Sequence, residues 1–326
     1  MDGLVQTQPS NVGTVFETGL GTALHGTIEQ LLASSRVQEY AGKVQLIFTS
    51  PPFPLNRKKK YGNLQGEAYI EWLAALAPSL RDLLRPKGSL VLELGNAWER
   101  GAPVMSTLAL RALLRVLDAG RFHLCQQFVC YNPARLPTPV EWVNVKRVRV
   151  KDSFTHIWWM STTPFPYADN RHVLKPYSDA MQKLLAKQKY NAGKRPSQHH
   201  IGSKSFLTNN HGAIPGNVLT AANTRTNDAY QIYCREHELK PHPARMPQEV
   251  AEFFIKLLTR KGDLVMDPFS GSNTTGAAAE GLGRRWLSIE PRLDYIEASR
   301  GRFQPKCEIG GTRDSGRPVL HARRGG

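Results

Sequence analysis

The sequence is short of cysteine, of acidic residues and of long apolar runs, and each shortage excludes a class of protein. Its 326 residues include four cysteines, scattered without a CxxC pair. That spacing argues against a disulfide framework or a zinc site, so we expect reduced thiols and no bound metal. No apolar run is long enough to span a membrane, and residues 1–20 lack a basic-then-apolar signal segment. We therefore expect a cytoplasmic protein with no membrane partner.

The scarcity of acidic residues leaves the chain strongly basic. It has 43 Lys and Arg against 27 Asp and Glu, a formal net charge of +16. Such a balance favours a polyanionic partner, with nucleic acid first, although ribosome-associated and membrane-surface proteins share it. The cations form two clusters, Arg57, Lys58, Lys59 and Lys60, and then Lys146, Arg147, Arg149 and Lys151. The second cluster alternates with valine and predicts a strand whose charged face is either solvated or in contact with phosphates.

The spacing of apolar residues predicts an α/β fold. Helices are expected at 66–84, 106–117, 249–258 and 275–280, and strands at 44–49, 89–94, 122–131, 263–267 and 285–290. This alternation is typical of a doubly wound, mostly parallel sheet with helices on both faces. Between residues 132 and 241 the alternation stops, and proline, asparagine turns and basic charge take its place. We interpret that stretch as an inserted recognition region and residues 304–326 as a flexible basic tail.

The first motif with chemical content is Ser50-Pro51-Pro52-Phe53, which follows the apolar strand at 44–49. Two consecutive prolines hold a turn in one extended shape. Such a turn can aim the Ser50 hydroxyl and a proline carbonyl at a planar amine while Phe53 stacks on the ring that bears it. Taken alone, the same four residues also suit an ordinary loop.

The second motif begins at Asp267 and combines a strand, a glycine turn and the start of a helix. It comprises Asp267, Phe269, Gly271, Ser272, Asn273 and Thr274, and Glu290 ends the next strand. The glycine permits close backbone approach, the helix start suits an anion, and the acid suits a ribose diol. The motif matches neither GxGxxG nor GK[ST], which disfavours pyrophosphate and triphosphate ligands. S-adenosylmethionine, with one ribose and one carboxylate, fits better; a packing turn with a surface glutamate is the alternative.

Together the two motifs resemble the DNA amino-methyltransferases. In that family an Asp-x-Phe-x-Gly loop binds S-adenosylmethionine, and a (Ser/Asn/Asp)-Pro-Pro-(Phe/Tyr) turn handles the base. The turn here precedes the variable region and the loop follows it, which resembles the β order of the family. Serine in the first position favours cytosine N4 over adenine N6. The resemblance implies a methyltransferase fold with catalytic and cofactor halves at 1–131 and 242–303, and a DNA target-recognition region at 132–241.

Further stretches resemble the cytosine-N4-specific members of the family. They are Thr49–Phe53, Arg57–Leu64, Pro139–Asn144, Val148–Asp152, Pro176–Asp179, His242–Arg245 and Gly271–Gly276. The resemblance runs from about residue 16 to residue 302 and implies a palindromic target of the CAGCTG kind. Two positions depart from the family pattern: Thr27 stands where an acid is usual, and Ser270 where glycine is common.

The resemblance implies a role for each group of residues. Ser50, Pro51, Pro52 and Phe53 are expected to be catalytic; His242, Pro243 and the second motif are expected to bind S-adenosylmethionine. The two cationic clusters are expected to contact double-stranded DNA, with the cytosine extruded by base flipping. A restriction endonuclease that acts separately is a possible partner. The alternatives are an adenine-N6 methyltransferase, a non-catalytic DNA-binding relative and an RNA-modifying enzyme.

Overall fold

The computed structural model describes residues 12–53, 64–190, 192–202, 206–221 and 228–304. The strands are β1 (Gly13–Glu17), β2 (Gly21–His25), β3 (Val44–Thr49), β4 (Leu84–Leu94), β5 (His123–Tyr131), β6 (Phe154–Ser161), β7 (Gly193–Lys194), β8 (His200–Ile201), β9 (Val218–Thr220), β10 (Leu264–Asp267) and β11 (Arg285–Glu290). The α-helices are α1 (Ile28–Ala33), α2 (Gly66–Leu83), α3 (Leu108–Gly120), α4 (Asp179–Lys187), α5 (Ala229–Glu236), α6 (Gln248–Leu258), α7 (Thr274–Gly281) and α8 (Leu293–Ser299).

Nine of the strands form one sheet in the order β1-β2-β11-β10-β3-β4-β6-β5-β9. The five strands from β2 to β4 in that order are parallel to one another. β6 runs antiparallel to both β4 and β5, which the sequence did not predict. Because β4 and β5 are both antiparallel to β6, they run parallel to each other, so the sheet is mostly parallel as predicted and β6 is an additional strand between them.

Helices cover both faces of the sheet, as the sequence predicted. α1, α2 and α3 pack with residues such as Tyr69 and Trp158 on one face, and α6, α7 and α8 pack with Phe48 and Phe254 on the other. All six residues of β3 are buried, including the polar Gln45 and Thr49, because both faces of this parallel strand are covered. Each large side chain buried in this way contributes about 1.5–3 kcal/mol. The fold is therefore doubly wound, and the parallel strands are held rigidly between two helical layers.

The region predicted as an insertion contributes to the main sheet as well as to the surface. β6 and β9 both belong to the nine-stranded sheet. Between them lie α4, which has no fully buried side chain, and the separate hairpin of β7 and β8. Over 175–221 the sequence has seven Lys or Arg and only one acid, Asp179. The surface part of this region is thus strongly basic.

The predicted strand at Lys146–Lys151 is wrong. After a π-helical turn at Glu141–Val145 the chain forms a loop in which the amides of Val148 and Arg149 both donate to the carbonyl of Trp142. Both valines that were expected on an apolar face are exposed, Val150 to 86%. Alternating valine and cation suits a strand only if a neighbouring strand accepts its hydrogen bonds, and here a single carbonyl does so.

Other expectations concern cysteine, metal and membrane. Cys125, Cys130 and Cys234 are free thiols, as expected, and Cys307 lies outside the described residues. Within the described ranges no group of three metal-ligating side chains occurs. Among the helices of the same ranges, none is long and apolar enough to cross a membrane.

Candidate active site

Both sequence motifs lie at the same edge of the sheet. β3 ends at Thr49, β10 at Asp267 and β11 at Glu290, and these strands are parallel neighbours. Carboxyl ends of adjacent parallel strands meet at one edge, where open α/β sheets bind their ligands. The structure therefore brings together two motifs that are more than two hundred residues apart in the sequence.

Asp267 is the junction between the motifs. One carboxylate oxygen accepts 2.7 Å and 3.1 Å hydrogen bonds from the Thr49 hydroxyl and the Phe269 amide, and the other accepts a 2.7 Å bond from the Thr275 hydroxyl. Burial raises the pKa of Asp267 to about 6, although these three donors act in the opposite direction. Both oxygens accept hydrogen bonds from protein donors, so Asp267 links the end of β3 to the glycine loop and to the start of α7.

The glycine loop is held by Glu290. Gly271 adopts φ +49°, a left-handed conformation that favours glycine, and its amide donates a 2.9 Å bond to Oε2 of Glu290. The other oxygen of Glu290 accepts from the amide of Arg292 at 3.1 Å. Burial raises the pKa of this carboxyl to about 7. The loop conformation thus depends on the acid that the sequence assigned to a ribose.

The loop continues into the start of α7. The side chain of Asn273 caps the helix by accepting a 3.2 Å bond from the amide of Gly276. Its Nδ2 atom is buried and has no hydrogen-bond partner in the part of the chain that the structure describes. Thr274 opens the helix, and the buried hydroxyl of Ser272 lies 3.3 Å from that of Thr274. A ligand acceptor would satisfy the amide nitrogen of Asn273, as a cofactor site requires.

His242 lies over the glycine loop. A methyl group built on Gly271 would stand 3.1 Å from Nε2 of His242, so the ring and the loop are in close contact. Nδ1 of the ring is hydrogen-bonded to the carbonyl of Ala244, and the ring meets Tyr295 edge-on at 4.6 Å. Burial lowers the pKa of His242, so the ring is neutral at pH 7. Pro243 follows and is exposed.

A second pocket opens beside Ser50. It has a volume of about 230 Å³ and is lined by Ser50, Phe53, Glu93, Cys130, Asn132, Arg135, Thr155, Ala221, Ala244, Arg245, Met246 and Pro247. This volume lies just below the range of pockets for drug-sized ligands, which suits a single flat ring. Pro51 is buried and Pro52 half-buried, so the turn is fixed on its protein side.

Phe53 lies at the wall of this pocket because of a glycine. A methyl group built on Gly95 would stand only 2.4 Å from the Phe53 ring. Gly95 directly follows β4, so the end of this strand lacks a side chain where the ring packs. The ring is thus positioned for stacking by the backbone beneath it, and any larger residue at position 95 would displace it.

Glu93 is a residue that the sequence analysis missed. It lies on β4 among buried apolar neighbours and is only 7% exposed. The hydroxyl of Thr155 donates a 2.8 Å hydrogen bond to Oε1 of Glu93, and Ser50 lines the same pocket and lowers the pKa of this carboxyl by hydrogen bonding. Burial raises the pKa of Glu93 despite these donors and the nearby Arg135. A single acid within the buried apolar run at 90–94 was the signal that could have identified it.

The predicted DNA contacts divide into two groups. Arg57, Lys58, Lys59 and Lys60 lie outside the described residues. In the loop at 146–151, Lys146 pairs with Glu141 at 3.2 Å, and Arg147 is exposed. Arg149 stacks over Trp98 at 4.6 Å and lies 3.7 Å from Asp152. Lys151 donates to the backbone carbonyls of Pro133 and Arg135, so it ties this loop to the preceding turn.

Arg302 also escaped the sequence analysis. Its Nε and Nη2 atoms donate to the carbonyl and hydroxyl of Ser272 at 2.6 and 3.1 Å, and its guanidinium lies 4.6 Å from the ring centre of Tyr230. Burial lowers its pKa to about 10. Nothing in the local sequence marks this arginine, because its partner lies thirty residues earlier in the glycine loop.

Comparisons of the sequence with known proteins all point to the same family of DNA methylases. The DNA methylase family model N6_N4_Mtase matches residues 44–300. The chain is 44% identical over 262 residues to the type II methyltransferase M.PvuII of Proteus hauseri, covering 80% of this chain and 78% of that protein. It is 25% identical over 261 residues to the type II methyltransferase M.BglII of Bacillus subtilis, covering 78% and 62% of the two chains.

Solved structures agree with this result. The cytosine-N4-specific PvuII DNA methyltransferase superposes with a TM-score of 0.71 at 35% identity, covering 93% of this chain and 91% of the other. The complex of M1.HpyAVI with SAM gives a TM-score of 0.52 at 18% identity, with 88% and 100% covered. The second likeness concerns the fold alone.

Proposed function

Because the chain belongs to the N6/N4 family of DNA methylases, we propose that it transfers a methyl group from S-adenosylmethionine to N4 of cytosine in duplex DNA. The observation that carries the proposal is that Ser50, Phe53 and the buried carboxylate of Glu93 line one pocket of single-ring size. The close relative named as cytosine-N4-specific supports the choice of base.

The residues of the glycine loop fit S-adenosylmethionine. Nδ2 of Asn273, which is buried and has no partner among the described residues, offers a donor, and Gly271 gives the loop its left-handed turn beneath His242. His242 covers the loop as a neutral ring, so it binds without adding charge. Ser272, Thr274 and Glu290 complete the site, with Phe269 packed against Trp72 at 5.5 Å. When bound, the cofactor supplies a methyl group on a positively charged sulfur, which is an activated leaving group.

Ser50 and Glu93 handle the proton and the lone pair of the cytosine amino group. The Ser50 hydroxyl donates to Glu93, which leaves its oxygen free to accept a hydrogen bond from the amino group. The carbonyl of Pro51 accepts the second amino proton. These two acceptors draw the nitrogen lone pair out of conjugation with the ring, and Phe53 stacks on that ring. After transfer, the surplus proton passes through Ser50 to the Glu93 carboxylate.

The remaining part of the proposal concerns DNA. The cytosine amino group is paired inside a duplex, so the base must be flipped out to reach the pocket. The net charge of +16 supports phosphate binding, with the clusters at 57–60 and 146–151 as contacts. We assign target recognition to 132–241 and expect a palindromic site of the CAGCTG kind. The enzyme acts in the cytoplasm beside a restriction endonuclease that binds the same site separately.

Methylation assays test the proposal. Purified protein is incubated with radiolabelled S-adenosylmethionine and plasmid DNA, and the DNA is then digested to nucleosides. We expect N4-methylcytosine; N6-methyladenine would favour the adenine-specific alternative, and transfer to structured RNA but not to duplex DNA would favour an RNA-modifying enzyme. Calorimetry without any heat of S-adenosylmethionine binding would favour the non-catalytic alternative.

Variants of the catalytic turn test the mechanism. Ser50→Ala should reduce kcat by about 10²–10⁴-fold while DNA affinity changes little, because the hydroxyl acts on the amino group and on no phosphate. Ser34→Ala is the matched control, since the Ser34 hydroxyl binds the Leu31 carbonyl away from the site. Near-wild-type methylation by Ser50→Ala would contradict the assignment.

A further inference from the structure

The rim of the Ser50 pocket carries an exposed leucine. Arg135 lines the pocket, and Leu136, the next residue, is 77% exposed. Adjacent Cα atoms are about 3.8 Å apart, so the backbone of Leu136 lies beside a residue that lines the pocket. An isolated exposed leucine is ordinary on a protein surface, and its placement and support therefore decide whether it has a role.

The turn that carries Leu136 is braced from several sides. The amide of Arg135 donates to the carbonyl of Asn132 at 3.2 Å, and its guanidinium donates to the carbonyl of Phe154 at 3.0 Å. Lys151 donates to two backbone carbonyls of the same turn at 3.1 and 3.2 Å. Leu136 therefore projects from a fixed support, which limits the entropy lost when it contacts a partner.

The surroundings of Leu136 are cationic. Residues 132–151 include five Lys or Arg and a single acid, Glu141. Phosphates on both strands of a duplex are attracted to such a surface, which would bring DNA against the turn. The exposed Leu136 then lies next in the chain to Arg135 of the pocket that takes the extruded base, with the exposed Arg147 among the cations of the same segment.

We propose that Leu136 enters the duplex and fills the gap that the flipped cytosine leaves. The inference rests on the proposed function and adds a residue to it. Extruding a base costs a few kcal/mol in lost stacking and pairing. An apolar side chain inserted between base steps offsets part of that cost by packing against the exposed base faces. Leu136 is thus a positioning residue that stabilises the flipped state and touches no reacting atom.

Single-turnover methylation tests this role on two substrates. The first is a short duplex with one CAGCTG site, or the site mapped for the wild-type protein; the second places an abasic nucleotide opposite the target cytosine. Leu136→Ala should slow transfer about tenfold on the paired duplex, because tenfold corresponds to about 1.4 kcal/mol of flipping cost. On the second substrate, where no pair is broken, its rate should return to within about twofold of wild type.

Two further variants serve as controls. Leu136→Met keeps a long apolar side chain and should retain the wild-type rate on the paired duplex. Phe165→Ala removes an apolar side chain that is 78% exposed beyond the opposite end of β6, and it should behave as wild type on both substrates. Equal slowing of Leu136→Ala on both substrates, or no slowing on either, would overturn the proposal, as would a substrate-dependent defect in Phe165→Ala.

The failure of this inference is distinguishable from failure of the proposed function. If the wild-type protein methylates no duplex cytosine, the proposed function fails before any variant is compared. If the wild-type protein methylates cytosine and Leu136→Ala matches it on the paired duplex, only the role of Leu136 fails. Fluorescence of 2-aminopurine at the target position gives a second readout, and Leu136→Ala should lower the flipped-state signal.

Discussion

The hydroxyl of Thr49 donates a 2.7 Å hydrogen bond to Oδ1 of Asp267, across 218 positions of the sequence. Thr49 directly precedes the Ser50 turn, and Asp267 directly precedes the glycine loop. This buried bond therefore sets the separation between the Ser50 turn and the glycine loop.

Replacing Thr49 tests that link. Thr49→Val keeps the shape of the side chain but removes the hydrogen bond that the hydroxyl donates to Oδ1 of Asp267. The free energy of unfolding should therefore fall by about 1–3 kcal/mol. Affinity for S-adenosylmethionine should fall with it, because Asp267 supports the loop. Thr49→Ser retains the hydroxyl and serves as the control. Denaturant unfolding and calorimetry measure the two effects; unchanged cofactor affinity in Thr49→Val would show that the bond serves stability alone.

The pH dependence of methyl transfer should report on Glu93. Burial raises the pKa of this carboxyl, and a proton acceptor is lost as pH falls through that raised pKa. The wild-type rate should therefore decline on the acid side at a pH above 4.3, the approximate pKa of an ordinary glutamate. Glu93→Gln should be slower by about 10²–10⁴-fold and should lack this acid limb.

Thr155→Val gives a matched comparison for the Glu93 profile. The Thr155 hydroxyl donates to Glu93 and lowers its pKa, so its loss should move the acid limb to higher pH while the carboxylate remains. An acid limb that persists unchanged in Glu93→Gln would assign the titration to another group. Single-turnover rates between pH 5 and pH 9 provide the measurement.

Folding stability should depend on pH through Glu290. Its pKa is raised from 4.5 to about 7, so between these values the folded protein holds a proton that the unfolded chain has released. Stability from this group is therefore greatest below pH 4.5 and is lost as pH rises towards 7. From pH 5 to pH 8 the wild-type protein should lose on the order of 2–3 kcal/mol relative to Glu290→Gln. Glu252→Gln, on the partly exposed surface of α6, should show no such difference.

Alanine substitutions at two glycines with positive φ distinguish the effect of backbone strain from an effect on ligand binding. Gly271 and Gly262 adopt φ +49° and +79°, so alanine at either position should cost about 1–2 kcal/mol in stability. A methyl group on Gly271 would also meet the His242 ring at 3.1 Å, whereas one on Gly262 meets nothing within 4 Å. Gly271→Ala alone should weaken S-adenosylmethionine binding in calorimetry. Equal weakening in both variants would attribute the loss to general destabilisation.

Both motifs could be recognised in the sequence because each is local, and the structure places them at one edge of the sheet. The Ser50 turn and the glycine loop each combine a buried strand with stiff or glycine-containing turn chemistry, and parallel strands bring such ends to one edge. Glu93 and Arg302 escaped prediction because their roles depend on partners that only the fold supplies. The loop at 146–151 was mistaken for a strand for the same reason, since its amides bind a carbonyl that the local pattern does not reveal.

The position of β2 beside β11 has a consequence for the chain order of the two motifs. These strands come from opposite ends of the described chain, and Phe16 lies 5.6 Å from Phe303 across the same junction. The two motifs are joined by Thr49 and Asp267 through space and not through the intervening backbone. A circular permutant that begins before α6 and runs through a linker into β1 should therefore build the same sheet, so the covalent order of the halves is free to change while the chemistry stays in place.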